Sequence, residues 1–359
     1  DVRKLGRIGV HTVFLYMMTT AIAISLALTA AVVIGPGKGF GLPTDVNFTT
    51  HEAPSLVEVL INIFPKNIFT ALVNGNMLQV IAFAILFGLA ITMAGKVGER
   101  VLEAFNALNE IIMKLVWIIM LAAPYGVFGL IATTFSQQGF SAFAHLAKYF
   151  ILVLAVLLTH AFVTYPLILK GLSGLSPLRF IKKLREVQLF AFSTASSNAT
   201  IPITLSTVEN KLGVKNNVAS FTVPLGATIN MDGTAIMQGV ATVFIAQAYG
   251  LGLEFTDYLM VIITATLASI GTAGVPGVGL IMLAMVFNQV GLPVEGIALI
   301  MGVDRLLDMM RTAVNVTGDA AITSIVAKSE GSLDEEIFYD PDAGIVEEIH
   351  LPHATADAD

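Results

Sequence analysis

The sequence predicts an all-α polytopic membrane protein built on an inverted repeat with two re-entrant helical hairpins, and three observations lead there. Hydrophobic residues make up 55% of the 359-residue chain and charged residues only 13%, where a soluble domain carries about 25% charged residues. The stretch Ile8 to Ile34 holds one His and Tyr16 as its only ionisable groups, and Leu146 to Leu169 is dominated by Leu, Val, Ala and Phe. A hydrocarbon core of about 30 Å needs roughly 20 such residues per helix. Third, two later apolar segments are broken at their centres by Ser, Thr, Gly and Pro, while both flanks of each carry the signature of one membrane side.

The chain has no cysteine, which excludes disulfides and thiolate metal sites. Ten acidic residues and no Lys or Arg follow Lys328, so the net charge of −7 misrepresents the body; without that end, 19 basic residues face 16 acidic ones, a net of +3. Residues 331–359 are therefore expected to form a mobile, acidic cytoplasmic tail. The chain starts at Asp1, not Met, and enters a span within ten residues without a signal-peptide pattern. It is accordingly read as lacking its natural N-terminus, with further helices upstream.

The elements follow in order. A first span covers 8–34. The apolar region 55–93, interrupted by Pro65, Asn67, Asn74, Gly75 and Asn76, is expected as more than one helical piece. A helix over 101–134 should kink at Pro124, and another covers 141–170. The remaining segments are 176–212, 216–250, 256–291 and 294–328. Lys and Arg favour the cytoplasmic side. Arg3, Lys4 and Arg7, then Lys96 and Arg100, then Lys170, Arg179, Lys182, Lys183 and Arg185 mark cytoplasmic connections; 35–53 carries only Lys38 and 135–140 no basic residue.

This alternation fails twice. Segment 189–212 has Lys182, Lys183 and Arg185 before it and Lys211 and Lys215 after it, so both ends face the cytoplasm. Its centre reads Ser193-Thr194-Ala195-Ser196-Ser197-Asn198-Ala199-Thr200-Ile201-Pro202. Segment 256–291 is flanked by Glu254, Asp257 and Glu295, so both ends face outward, and its centre runs from Ser269 to Gly279 with four glycines and Pro276. Broken backbone at membrane depth is tolerated only where protein or a water-filled cavity satisfies it. Two oppositely oriented hairpins, each followed by a span, form the plan that secondary transporters use for a midplane site. The bland alternative is a pair of Gly/Ser kinks in ordinary helices.

Ionisable residues inside a span are functional candidates. At 100° per residue, Asp304, Asp308, Arg311, Asn315 and Asp319 share an arc of about 80°, with Arg305 and Thr312 beside it. Asp308 and Arg311, three apart, could simply neutralise one another. Arg also presents a planar fork matched to two carboxylate oxygens, so Arg311 suits an acidic solute, Asp308 an ammonium group and Asp319 a cation. In Asn230-Met231-Asp232-Gly233-Thr234, Asp232 has no Lys or Arg in its segment after Lys215. A hard cation with oxygen ligands is the economical partner, freed carbonyls being supplied by unwinding near Gly226 and Gly233. A protonated or Asn-bonded Asp232 is the structural alternative. Thr19 and Thr20 could reach the same cation, although Thr often bonds its own helix.

The strings Gly226-Ala-Thr-Ile-Asn-Met-Asp-Gly-Thr234, Ser269-Ile-Gly-Thr-Ala-Gly-Val-Pro-Gly277 and Asp308-Met-Met-Arg-Thr-Ala-Val-Asn-Val-Thr-Gly-Asp319 resemble those of the glutamate transporter family, the dicarboxylate/amino acid:cation symporters, from residue 3 to about 330. The resemblance implies a homotrimer in the prokaryotic plasma membrane with no nucleic-acid partner. Each protomer would pair a scaffold (36–140, the family's first two helices absent) with a transport domain (1–35 and 141–330) that moves like an elevator. It implies that Arg311 binds the substrate side-chain carboxylate and Asp308 its amino group. Thr312, Asn315, Thr234, Met231, Gly279 and the hairpin tips around Ser196, Ser197 and Val275 complete the pocket. It further implies up to three sodium ions. One lies between Asp319 and carbonyls of Gly226, Asn230 and Asn315; a second is held by carbonyls of Thr228, Ser269, Ile270 and Thr272 near Met231. The third uses Asp232, Asn230, Thr19, Thr20 and the Tyr16 carbonyl. Some archaeal members carry an arginine in the first tip; Ala195 stands here, with Arg305 supplying the charge. Animal members that counter-transport potassium have Glu where this chain has Gln238, so no potassium step is expected.

The expected activity is thus cation-coupled uptake of aspartate, glutamate or a C4-dicarboxylate. A proton-coupled symporter is the alternative within the family. An ion channel filtered by the Gly-rich hairpin is the alternative from another class, opposed by the fixed Arg311–Asp308 pair. An intramembrane hydrolase has no His or Lys in sequence near Ser196 or Ser197 to activate them.

Overall fold

The computed structural model describes residues 2–42, 64–73, 77–138, 141–270, 274 and 276–344. They are helical, with one isolated bridge, Val214 to Leu333, as their extended pairing. α1 runs Val2–Ile34, six residues earlier than expected. The region after it gives two pieces among the described residues, α2 (Ile68–Val73) and α3 (Met77–Met93). The long α4 (Lys96–Gln138) continues unbroken past position 124. α5 (Ser141–Thr159) passes through a π-helical turn, His160–Thr164, into α6 (Tyr165–Ser173).

The first interrupted segment is a helix–turn–helix preceded by a short α7 (Pro177–Lys183). Its arms are α8 (Arg185–Thr194) and α9 (Ser197–Asn210). Ala195 turns the chain at φ 51°, the one non-glycine residue in the left-handed region among those described. Ser196 then caps α9, its Oγ accepting from the Ala199 N–H at 3.2 Å. Ala in that conformation costs about 1–2 kcal/mol, and such strain persists where surrounding contacts impose it.

α10 (Asn216–Ile229) and α11 (Asp232–Ala248) are two halves of one rod, broken where Asn230 turns extended (φ −85°, ψ 91°) and Met231 leaves helical geometry (φ −116°, ψ 41°). The unwinding falls between the two glycines expected to allow it. α12 (Phe255–Ala268) starts with a capping box between Glu254 and Asp257, and α13 (Val278–Gln289) starts after Gly277 at φ 81°. A 3-10 turn, Val294–Gly296, leads into α14 (Ile297–Ser329), which carries the polar stripe.

α11 is buried along nearly its whole length, Asp232, Gln238 and Thr242 included, the place of a helix at the centre of a bundle. Ile236, Val240 and Phe244 pack with Ile24 and Ala27 of α1, Tyr149 and Leu157 of α5, and Phe287 of α13. A second core joins Leu15 and Tyr16 to Phe180, Leu212, Ile322 and Val326. Outside these cores α4 exposes large apolar side chains, Ile111 at 67% and Phe128 at 75%. Water would not tolerate such a face on a monomer; lipid or a neighbouring subunit would.

Two described helical stretches, Gly6–Ile34 and Phe143–Ser173, are long and apolar enough to cross a membrane. α10–α11 and the α12–α13 segment fall short because each is broken midway, and α14 because its buried stripe is charged. The acidic end corrects the expectation of a mobile tail. The Val214–Leu333 bridge and α15 (Glu335–Tyr339) fold residues up to Gly344 back onto the body. Phe338 is 0% exposed in the second core, and that apolar contact outweighs the acidic composition around it. Residues 345–359 lie outside the described part.

Candidate functional site

α14 turns its stripe inward: Asp304, Asp308, Thr312, Asn315 and Asp319 are all under 9% exposed and Arg311 is at 0%. The Arg311 guanidinium spans two carboxylates of its own helix. Nη1 donates to Asp304 Oδ1 at 2.5 Å, and Nη2 to Asp308 Oδ1 at 2.8 Å. Its Nε is buried with no hydrogen-bond partner among the described residues. An unpaired buried donor costs about 1–3 kcal/mol, which an incoming acceptor would recover. Arg305 is different: its side chain is 62% exposed and reaches Asp308 only at 4.0 Å.

The start of α13 lies against this pair. A Cβ built on Gly279 would stand 3.1 Å from Arg311 Nη2, so α13 passes directly against the guanidinium. The Gly277 N–H donates to Asp308 Oδ2 at 3.0 Å. Across the site, Ser196 Oγ donates to the Gly274 carbonyl at 2.7 Å and the Asn198 N–H to the same oxygen at 3.1 Å, so the two tips touch. Ser197 is buried beside them. Thr272 and Val275 lie outside the described residues. On the fourth side Asn315 pins the start of α11, its Oδ1 accepting from the Gly233 N–H at 2.7 Å and its Nδ2 donating to Met231 Sδ at 3.4 Å. Thr312 returns its hydroxyl to the Asp308 carbonyl. Met231, Thr234, Gln238 and Ser269 line a cavity of about 10 Å³, close to the room one water-sized particle needs.

Deeper in, Asp319 and Asp232 form two oxygen-rich nests. Asp319 Oδ1 accepts from Asn230 Nδ2 at 2.9 Å, and the same Nδ2 reaches the Asn315 carbonyl at 3.0 Å. Asn230 Oδ1 is buried with no donor, again among the described residues. The Gly226 carbonyl accepts from the Asn230 N–H at 2.8 Å, leaving one lone pair for another partner. Surplus acceptors beside buried carboxylates are what a hard cation requires. Asp232, at 0% exposure, accepts from Thr20 Oγ1 at 2.5 Å and Tyr165 OH at 2.8 Å, and His160 Nε2 stands 3.1 Å from its Oδ2. Thr19 donates to the Tyr16 carbonyl at 3.0 Å and shows no bond to Asp232, while Thr20 Oγ1, whose one proton is directed to Asp232, stands 2.9 Å from the same carbonyl. Thr228 bonds back to the Leu225 carbonyl, Ser269 to that of Thr266, and the Ile270 N–H to that of Leu267. No group of three His, Asp or Glu side chains converges as a metal site among the described residues; the nests are built from amide, hydroxyl and carbonyl oxygens around single carboxylates.

Residues 1–329 match the family described as the sodium:dicarboxylate symporter family. The chain belongs to that family. It is therefore a transporter of the symporter kind and not an enzyme. Among curated proteins the symporter is 38% identical over 345 residues to the proton/sodium-glutamate symport protein of Geobacillus stearothermophilus, covering 94% of this chain and 82% of that protein. It is 36% identical over 348 residues to the proton/glutamate-aspartate symporter of Escherichia coli (strain K12), covering 94% and 79%. It is equally 36% identical over 348 residues to the C4-dicarboxylate transport protein of Rhodospirillum rubrum, covering 94% and 77%.

Sequence reasoning missed two members of the symporter's Asp232 nest, His160 and Tyr165. On a regular helix residues five apart diverge by about 140°. The π turn, with its i→i+5 register, reduces that divergence, and the two rings meet at 4.4 Å. Pro166 follows at the start of α6 and has no N–H to continue the α ladder. Asp304 was placed on the stripe but not as a partner of Arg311.

Gly226 admits nothing larger. A Cβ there would lie 2.5 Å from both Asp319 Oδ1 and Tyr16 OH. Gly226→Ala should therefore destabilise the symporter by about 1–3 kcal/mol and displace the Asp319 carboxylate. Thermal unfolding in detergent should show a lower midpoint.

Proposed function

We propose that this symporter takes up aspartate, glutamate or a C4-dicarboxylate together with sodium ions, at a site centred on Arg311. The observation that carries the reading is a guanidinium with no exposure, ringed by carboxylates and both hairpin tips, with a donor still unpaired. In the empty site Asp304 and Asp308 neutralise Arg311. A substrate carboxylate takes the fork, Asp308 turns to the substrate ammonium, and Thr312, Asn315, Thr234, Met231, Gly279, Ser196, Ser197 and Val275 complete the enclosure. The relatives' names, glutamate, glutamate-aspartate and C4-dicarboxylate, support a solute with two acidic groups.

Sodium is the coupling ion we favour because Asn230 Oδ1 is an acceptor without a donor. A proton on a carboxylate adds a donor at one oxygen, whereas a metal ion satisfies several at once. Asp319 with Gly226, Asn230 and Asn315 holds one ion. Asp232 with Asn230, Tyr16, Thr19 and Thr20 holds another, and Thr228, Ser269, Ile270 and Thr272 hold a third near Met231. The ions at Asp319 and Asp232 each offset a buried carboxylate charge and order the Asn230–Met231 break, so cation and substrate stabilise the same closed state.

The arrangement of the whole follows the same reading. Segments 176–212 and 256–291 enter the membrane from opposite sides as re-entrant hairpins. Residues 1–35 and 141–330 form the moving transport domain, and 36–140 the scaffold of a homotrimer in the prokaryotic plasma membrane. The exposed apolar face of α4 supports that interface.

Uptake into proteoliposomes with sodium and proton gradients imposed separately tests the reading. A sodium gradient alone should drive accumulation of labelled aspartate, glutamate or succinate, saturably and with inhibition by the other acids. Accumulation driven only by the proton gradient would establish the proton-coupled alternative, and non-saturable flux the channel.

A further inference from the structure

Two cavities whose linings include none of the ligand-site residues meet at one residue, Arg185. The first, about 630 Å³, is lined by Arg179, Lys182, Lys183, Arg185 and Lys211, with Glu186 as its one lining carboxylate. Glu186 is already engaged by Lys211 at 2.5 Å. The other four cations have no carboxylate within 4.0 Å among the described residues; Asp340 acts on Lys183 from beyond that distance. Lys183 donates instead to the carbonyls of Lys211 and Ile337, and Arg179 to that of Tyr339, with its guanidinium 5.0 Å over the Tyr339 ring. Those bonds fix the heads of Arg179 and Lys183 in place without cancelling their charge, beside Lys182 and Arg185. The result is a partly preorganised positive bowl whose charge suits an anion.

The second cavity, about 360 Å³, is also lined by Arg185 and continues past Leu189 and Phe192 to Leu158, Phe162 and Val314. From Arg185 to Phe192 the helix rises about 10 Å. One residue thus joins a cationic chamber to an apolar slot. The slot runs from the cationic chamber to Leu158 and Phe162 in the middle of the span Phe143–Ser173, and the chamber itself lies along α7, just after that span, with Leu172 and Leu178 exposed at 55% and 66%. The basic connections place that level at the cytoplasmic leaflet. A free phosphate would fill only the first cavity and an alkyl chain only the second.

We propose that the two cavities together hold one anionic phospholipid, its phosphate against Lys182 and Arg185 and one acyl chain in the slot between α5, α8 and α14. The site is separate from the Arg311 pocket and shares with the functional reading only the membrane orientation.

The test is lipid retention by the purified full chain, read by native mass spectrometry from an equal mixture of phosphatidylglycerol and phosphatidylcholine. Phosphatidylglycerol should be retained preferentially. Lys182→Gln with Arg185→Gln should reduce that retention by about 30-fold, roughly fivefold per cation, while the charge-conserving pair Lys182→Arg with Arg185→Lys keeps it. Sodium-driven uptake by the Gln pair should persist, showing that the fold is intact, since neither residue touches the ligand site. Four results would overturn the assignment: equal retention of both lipids; retention unchanged in the Gln pair; displacement of the lipid by inorganic phosphate or glycerol phosphate at equal concentration; or retention that appears only when residues 345–359 are deleted. The third would make the cavity a free-anion site, and the fourth would assign it to the chain's own acidic end. The readout is independent of which solute is carried, so its failure and that of the transport reading are distinguishable.

Discussion

Arg311→Lys should eliminate measurable uptake of acidic solutes while leaving a folded, membrane-inserted protein. Lysine keeps the positive charge that Asp304 and Asp308 require in a site with no exposure. A neutral residue would leave both carboxylates buried and unpaired, at a cost of about 3–5 kcal/mol, and so confuse misfolding with lost recognition. What lysine loses is the planar fork. Two hydrogen bonds to a charged group, each worth about 1.5–3 kcal/mol, correspond to roughly 100-fold to 10,000-fold in affinity. Equilibrium binding of labelled aspartate or succinate to the detergent-solubilised variant measures this directly. Binding within tenfold of the unmodified protein would remove Arg311 from the pocket.

Asp319→Asn carries the second large effect, on coupling. The substitution is isosteric, and the Asn230 Nδ2 bond to Oδ1 at 2.9 Å can persist with an amide oxygen in place of the carboxylate. The fold should therefore survive, while the ion loses its one negatively charged ligand in that nest. Within a buried, 2% exposed site the loss of one formal charge next to a monovalent cation outweighs any of the neutral oxygen ligands. Half-saturating sodium for uptake should rise by roughly 100-fold, about 2.7 kcal/mol. An unchanged sodium dependence would move the ion to Asp232 alone. Asp232→Asn is the natural companion measurement: its amide oxygen can keep one of the two hydroxyl bonds, from Thr20 at Oδ1 or from Tyr165 at Oδ2, and its NH2 group donates to the other hydroxyl oxygen.

The parts of this architecture that were legible in the sequence are those written in local periodicity. The stripe from Asp304 to Asp319 could be read because its spacing follows the helical turn, and the structure keeps all five members on the buried side. The two tips could be read because Ser, Gly and Pro cannot continue a helix cheaply, and the Ser196–Gly274 bond brings them together. The Asn230–Met231 break was foreshadowed by its polar string in an apolar helix. What could not be read arises from contacts between distant segments. His160 and Tyr165 look like ordinary members of an apolar span until a π turn changes the angle between them. Pro166 was the available signal, and its consequence depends on where Asp232 stands. Arg305 lies beside the stripe in projection, but its helix face opens outward at that turn. The folded acidic end was hidden because composition averages over Phe338, whose burial is a single tertiary contact.

That folded end has a practical consequence for anyone wishing to watch the molecule work. Leu333 is zipped to Val214, the Lys183 ammonium holds the Ile337 carbonyl at 2.7 Å, and Phe338 is plugged into the core beneath α7. A fluorophore or spin label near Gly344 would therefore ride rigidly with the guanidinium-bearing rod and the first hairpin, not on a slack leash. Paired with a second label on α4, it would measure in ångströms whether the body that holds Arg311 moves against that helix, as proposed, from a place outside the proposed solute and ion sites.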